Sequence, residues 1–465
     1  MIVSVDAGFI ETARKLISFD STPPESTEPL ARFLLSIAEK LELDYEFFEE
    51  VQNGVNQANI IFRAQKKKEG VDDFLLQAHL DTVDPGHYST WKKNSFNPFD
   101  AVIENEVIYG LGAAKSKLDL LVKLHVLASF KAKVFKNLNP VVLATFGEQS
   151  GMQGVLKLIR KNKISAKYAI ISEPTDMQLV NAAKGFALVE IRVPFSDQEN
   201  EIRQKKISSE STTTQTKVFS GLSVHSAEAH LGVSAATKLF DYLSKLPENV
   251  AIVEIDCGTR MSTIPNQAML EIDSAMMIEN SMIQKLNSVA QLIKNIELQM
   301  HDIHDEEFNP HHSTLSVGII RTDEHQVRLG GSCRIVPKVR QEDFERWINY
   351  LTTECHKIGA EFKVIDYKRP FRMLENSVFI KTALSELHKL KNAPDNQSDT
   401  IKPRSLASTN EASLLSRRGI ECLCIGAGFR ADHGFVSGQI SPERVSIKDL
   451  ELMGQFYQRM VERFC

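Results

Sequence analysis

The sequence predicts an α/β architecture interrupted by an inserted α+β segment, and three observations carry that expectation. Short apolar runs alternate with helical segments toward both ends of the chain, the pattern of a sheet flanked by helices. His79, Glu148 and Glu173 each stand at the end of such a run, and ligands of α/β sheets gather beyond the carboxyl ends of the strands. The character changes after Lys184-Gly185 and returns at about Phe371. The expected organisation is therefore a discontinuous α/β domain over 1–183 and 372–465, with a smaller α+β lid at 184–371.

Taken in order, FIETARKLISF (9–19) and EPLARFLLSIAEKLEL (28–43) place apolar residues at helical spacing, and Ala58 to Ala64 alternates as a strand does. The run DFLLQAHL (73–80) reads as a strand and Lys117 to Phe130 as a helix. PVVLATFG (140–147), VLKLIRKN (155–162) and YAIISEPT (168–175) continue the alternation. The Ser/Thr-rich polar stretch from Phe195 to Lys217 has no apolar period, which predicts a mobile loop. Beyond it come a helix over 234–246, strands over 251–257 and 268–278, and a long helix from Ser281 to Met300. Strands over 313–320 and 326–336 and a helix over 342–351 complete the middle segment. The helix FIKTALSELHKL (379–390) and the strand CLCIGAG (422–428) return to the first style.

Composition narrows the function classes. A chain of 465 residues can bury two or three cores, and 42% hydrophobic with 25% charged residues is ordinary for a soluble globular protein. A net charge of -5 gives no electrostatic case for nucleic acid or an anionic membrane. Six scattered cysteines without a CxxC pair fit reduced, buried thiols and a cytoplasmic setting. The N-terminal stretch has no basic segment leading into an apolar core, and no stretch approaches ~18 uninterrupted apolar residues, so neither a signal peptide nor a membrane span is expected.

Five motifs carry the chemistry: QAHLDTVDPG (77–86), YGLGAAKSKLDLL (109–121), TFGEQSG (145–151), ISEPTD (171–176) and IGAGFRADHG (425–434). Each alone is weak, since an HxD is more often structural and an EPT is a turn after a strand. Together, in this order, they resemble the zinc exopeptidases and deacylases that include acetylornithine deacetylase, succinyl-diaminopimelate desuccinylase, aminoacylase and glutamate carboxypeptidase. The resemblance implies a zinc-exopeptidase-like catalytic domain with an inserted lid that often dimerises, hence a homodimer. It also implies hydrolysis of an amide bond in a short peptide or N-acyl amino acid by metal-activated water.

Two metals about 3.5 Å apart need a shared carboxylate, and the attacking water needs a carboxylate base. By the resemblance, His79 and Glu173 belong to one metal, and Gln149 and His433 to the other. Glu148 is the general base, and Asp81 orients the imidazole of His79. The family's bridging aspartate is here Lys115, and the second residue of its double glutamate is Gln149. An ammonium has no lone pair to offer a metal, and a neutral amide is a poor zinc ligand. The expectation is a degraded two-zinc site, with the ammonium of Lys115 in reach of Glu148, Glu173 or Asp81. The cofactor is then zinc or another divalent metal on a residual site, or none. Asp119, one helical turn on, has its Cα about 6 Å away and is not expected to replace the lost carboxylate.

In the middle segment, SGLSVHSAEAHLGVSAATKL places His225 where the family's lid histidine reaches the substrate, and Arg334 matches an arginine that forks onto a substrate carboxylate. The plainer alternatives are a polar turn before a helix for His225 and a strand-surface arginine for Arg334. Ser262 stands where an asparagine is common, and GFVSGQIS after His433 departs from the family's Pro-Asn-Glu turn. Gly110 and Gly112 are too few for a dinucleotide loop. Lys66 to Lys68 reads as a solvated turn, and His301, His304, His311 and His312 as a loop of exposed histidines. Two function classes stay open: a metallopeptidase or deacylase, and a catalytically inactive binding or scaffolding protein that retains the fold.

Overall fold

The computed structural model describes residues 4–66, 70–208, 214–247, 250–274, 281–391, 402–428 and 443–465. The fold is mixed α/β, and the chain divides into two compact units. Unit one comprises Met1–Ala182, Phe371–Ser405 and Asn410–Cys465, and unit two comprises Ala183–Pro370 with Leu406–Thr409.

The first unit opens with α1 (Ala7–Ile17) and α2 (Glu28–Lys40). The side chain of Asp6 accepts from the Phe9 N–H and so caps α1. Leu30, Leu34, Ile37 and Ala38 form the buried stripe of α2. Then come β1 (Asp44–Gln52) and β2 (Val55–Arg63), an antiparallel pair turned by Asn53-Gly54, both at positive φ. Asn-Gly is the dipeptide that a two-residue hairpin favours.

The strands β3 (Asp73–His79), β4 (Val102–Glu104) and β5 (Val107–Tyr109) precede α3 (Lys117–Ala128). After α3 follow β6 (Asn139–Thr145), α4 (Gln153–Arg160), β7 (Ala166–Ser172) and β8 (Val180–Ala183). Every residue of β3 is buried, as expected of a central strand covered on both faces.

The second unit holds β9 (Gly185–Pro194), α5 (Asp197–Ser208), β10 (Gln215–Ser220) and α6 (Ala235–Leu243). Next are β11 (Val250–Cys257), β12 (Gln267–Ser274) and α7 (Met282–His301). The unit ends with β13 (Thr314–Thr322), β14 (Gln326–Ile335), α8 (Gln341–Lys357) and β15 (Glu361–Lys368). Seven strands form one sheet in the order β10-β12-β11-β13-β14-β9-β15, with antiparallel neighbours throughout.

The structure corrects the loop expected over 195–217, because Asp197–Ser208 is a helix and Gln215 starts a strand. The helix is tied down by polar groups, which an apolar period cannot report. The Arg203 guanidinium lies 3.9 Å from the centre of the Phe195 ring and donates to the carbonyls of Val253, Asp323 and Glu324. Glu199 accepts from the backbone N–H of Ser196 and of Met282.

The chain returns to the first unit with β16 (Phe371–Arg372), α9 (Val378–Leu390), β17 (Arg404–Leu406) and α10 (Ala412–Leu415). It closes with β18 (Glu421–Ile425), β19 (Arg444–Ser446) and α11 (Ile447–Phe464). The nine-stranded sheet of this unit runs β1-β2-β6-β3-β7-β18-β8-β16, with β17 on β8, and β19-β5-β4 form a small antiparallel sheet. Strands β6, β3, β7 and β18 are mutually parallel, so their carboxyl ends lie side by side, with His79 opposite Thr145 and Ser172 opposite Ile425. The helix α3 packs against α1 and α11 as well as against β3 and β6, which explains its burial on nearly every side. Five of the six thiols are buried and none is in a disulfide. Among the described residues no helix is long and apolar enough to cross a membrane.

Candidate active site

Three parallel strands deliver the site. His79 is the last residue of β3, Glu148 follows β6 by three residues, and Glu173 follows β7 directly. Lys115 comes from the turn before α3. His79, Asp81, Lys115 and Glu173 are all buried.

Asp81 organises the turn after β6. Its carboxylate accepts from the Glu148 N–H at 3.1 Å and the Gln149 N–H at 2.8 Å, and lies 3.5 Å from His79 Nδ1. Burial alone would raise its pKa; the His79 contact and these two N–H groups outweigh burial and hold it below the usual value. The Nδ1 of His79 lies 2.7 Å from the Asp81 carbonyl oxygen, which assigns the Nδ1 proton and leaves Nε2 pointing away. That Nε2 is buried without a hydrogen-bond partner among the described residues, 4.0 Å from a Glu148 oxygen. Burial pushes the imidazole pKa down, but the charge of Glu148 and the contact with Asp81 more than reverse this.

The ammonium of Lys115 lies between two carboxylates, 3.3 Å from Glu148 Oε1 and 3.5 Å from Glu173 Oε2. Gln149 turns its amide nitrogen to the other oxygen of Glu148. The backbone that carries Lys115 is fixed by Glu443, whose carboxylate accepts from the N–H groups of Gly112 (2.9 Å), Ala114 (2.8 Å) and Lys115 (3.1 Å). Gly112 takes φ +88° here, and a Cβ on it would come within 2.8 Å of the Lys117 side chain.

These groups fit a two-metal centre poorly. Among the described residues, the Nε2 of His79, without a hydrogen-bond partner there, suits a metal. Against it, a cation already stands between Glu148 and Glu173, and Gln149 offers an amide that donates to Glu148. Among the described residues no three of His, Cys, Asp and Glu gather as a metal ligand set. His433 lies outside the described residues. Asp119 faces the core, where it binds Lys123, Ser172 and Tyr457, so it supplies no carboxylate to the site.

The structure thus brings His79, Asp81, Lys115, Glu148, Gln149 and Glu173 together in the first unit. In the second unit it pairs His225 with Arg334. The Arg334 guanidinium is buried, donates to Ser226 Oγ at 3.1 Å and lies 3.2 Å from His225 Nε2. It also lies 4.5 Å from the centre of the Phe186 ring, and burial pulls its pKa down to about 10.

Sequence reasoning missed Glu443 and Glu411. Glu443 lies 328 residues from Lys115, and no local sequence pattern connects them.

The close approach of β18 to Glu173 yields a direct prediction. A Cβ on Gly426 would lie 2.3 Å from the Glu173 carbonyl oxygen. Gly426→Ala is expected to lower unfolding free energy by about 1–3 kcal/mol in urea denaturation, since it is backbone that would have to move. A cost near zero would show that the turn carrying Glu173 yields freely.

Residues 75–463 match the model of peptidase family M20/M25/M40. The acetylornithine deacetylase of Buchnera aphidicola subsp. Acyrthosiphon pisum (strain 5A) is 36% identical over 125 residues, 27% of this chain and 31% of that protein. The succinyl-diaminopimelate desuccinylase of Wolbachia pipientis wMel is 28% identical over 174 residues, 36% of this chain and 41% of that protein. The chain therefore matches less than half the length of these curated relatives. Among solved structures, aminoacylhistidine dipeptidase from Vibrio alginolyticus superposes with a TM-score of 0.61 at 14% identity, over 100% of this chain and 98% of that one. At that identity the likeness concerns the fold.

Proposed function

The chain belongs to peptidase family M20/M25/M40, and we propose that it binds a short peptide or N-acyl amino acid at a site that has lost the two-metal centre. On this reading His79, Glu173 and His433 are remnant ligands and Lys115 and Gln149 are replacements. Glu148 and Asp81 keep the places of base and orienting carboxylate, and His225 and Arg334 contact the ligand. The observation that carries the proposal is the Lys115 ammonium held between Glu148 and Glu173 at 3.3 and 3.5 Å.

The supporting argument is charge balance. Asp81, Glu148 and Glu173 bring three carboxylates into one site, and without cations their like charges would repel one another. Opposite charges ~4 Å apart attract by about 4 kcal/mol at an effective dielectric of 20, before desolvation is subtracted. Held between two carboxylates, Lys115 serves as a counter-charge.

A second reading, a hydrolase with a single metal, draws on the unpartnered Nε2 of His79. Elemental analysis of the purified protein, with assays on dipeptides and N-acetyl and N-succinyl amino acids, separates the two. Binding of a panel member seen as a thermal shift, without metal and without turnover, is expected. Turnover that Glu148→Gln abolishes, in protein carrying stoichiometric metal, would overturn the proposal and establish the hydrolase.

A further inference from the structure

Beneath His79 lies a carboxyl group that the site chemistry does not use. Glu411, the residue just before α10, is buried to 1% exposure. Its oxygens meet two neutral partners: the Thr145 hydroxyl at 2.9 and 2.8 Å, and the amide nitrogen of Gln77. Thr145 and Gln77 also meet each other, at 3.1 Å. Gln77 and His79 point to the same face of β3, being two residues apart on a strand, and Thr145 is the register partner of His79 across the β3–β6 ladder. Glu411 thus ties together the carboxyl ends of two strands that deliver the site.

No Lys, Arg or His nitrogen among the described residues comes within ion-pair distance, 4.0 Å, of Glu411. The charged groups that act on it are His79 and Asp81 from the end of β3 and Glu148 from beyond β6. The other elements packed on α10, namely the 3-10 turn Ser416–Arg418 that follows it, α4, β7 and β18, supply no cation within that distance among the described residues, Arg417 and Arg418 of that turn included. A fully buried carboxylate whose hydrogen-bond partners are both neutral is disfavoured against its protonated form by loss of hydration; Glu148 and Asp81 add to this and His79 opposes it.

We infer that Glu411 is a neutral carboxylic acid at neutral pH and the positioning residue for the His79 end of β3. It holds that strand to β6 through Gln77 and Thr145 without adding a fourth negative charge to the site. Its pKa agrees: burial pushes it up to about 8, with Glu148 and Asp81 adding and His79 and Thr145 opposing.

The sign of the linkage follows. The folded pKa of about 8 exceeds the ordinary 4.5, so between those values the folded state holds the extra proton and stability declines as pH rises. Urea denaturation of the full chain from about pH 5 to about pH 9 is expected to show this decline in wild type and a flatter profile in Glu411→Gln, which keeps shape and hydrogen bonding without the charge. Glu411→Ala is expected to lose stability at every pH and to shift the His79 ring resonances in nitrogen-edited NMR, while Glu411→Gln leaves them in place. An isotope-edited infrared difference between wild type and Glu411→Gln at neutral pH is expected to contain a protonated-carboxyl C=O band. Parallel pH profiles for wild type and Glu411→Gln, or the absence of that band, would overturn the assignment. Unchanged His79 resonances in folded Glu411→Ala would remove the positioning role.

Discussion

Zinc titrated calorimetrically into the wild-type chain is expected to show no tight binding at two equivalents. Lys115→Asp alone is expected to restore little. The single change removes the ammonium from between Glu148 and Glu173 and returns one carboxylate. It still leaves at Gln149 an amide, which donates to Glu148 and is a poor zinc ligand. Gln149→Glu alone meets the opposite difficulty, because the ammonium remains where the cations would sit and repels them. Lys115→Asp with Gln149→Glu removes both obstacles and is expected to bind zinc at least about tenfold more tightly than either single variant, each tenfold corresponding to ~1.4 kcal/mol. The non-additivity is the informative quantity, since residues sharing one site couple where distant ones add. Tight two-equivalent binding by the wild type would defeat the argument; equal affinities for the double variant and Lys115→Asp would show that Gln149 is not an obstacle.

The parts of this site that were legible in the sequence are those where local pattern and chemistry coincide. The β3 and β7 runs each hold a block of apolar residues, 74–76 and 168–171, and end in His79 and just before Glu173, so their residues announce both a buried strand and a polar group at its end. Lys115 was legible because the surrounding motif made its charge anomalous, and the structure places that charge between Glu148 and Glu173. What stayed hidden depends on long-range partners. The helix α5 is held by Arg203 and Glu199, so its stability comes from buried polar contacts that give no apolar period. Strand β1 is half exposed and rich in acidic residues, which masked it despite the Asn53-Gly54 turn beside it. Glu443 and Glu411 act on partners 328 and 266 residues away, Lys115 and Thr145 respectively. Only the folded sheet brings them there.

Lys123→Met is expected to cost about 3–5 kcal/mol of unfolding free energy, the range for breaking a buried ion pair. Lys123 is wholly buried in the middle of α3, and its ammonium is fully engaged. It donates to Ser172 Oγ at 2.6 Å and to the Gln77 carbonyl at 2.7 Å, and pairs with Asp119 Oδ2 at 2.7 Å. Tyr457 from α11 donates to the other Asp119 oxygen at 2.6 Å. Burial pulls the pKa of Lys123 down, and the charge of Asp119 opposes that pull. Removing the lysine would leave Asp119 buried with two neutral donors, Ser172 and Tyr457, and no cation among its described partners. It would also take one donor from the Gln77 carbonyl and one from Ser172 Oγ, two residues before His79 and one before Glu173. Replacing both members, Lys123→Met with Asp119→Leu, is expected to recover a substantial part of the loss, because an apolar pair carries no desolvation cost. Urea denaturation of the two single variants and the double variant measures the coupling. A loss below about 1 kcal/mol for Lys123→Met would show that Asp119 finds its compensation elsewhere. A double variant no more stable than Lys123→Met would mean that the hydrogen bonds to Gln77, Ser172 and Tyr457, rather than the pairing of charges, hold α3 to the strand ends beneath the site.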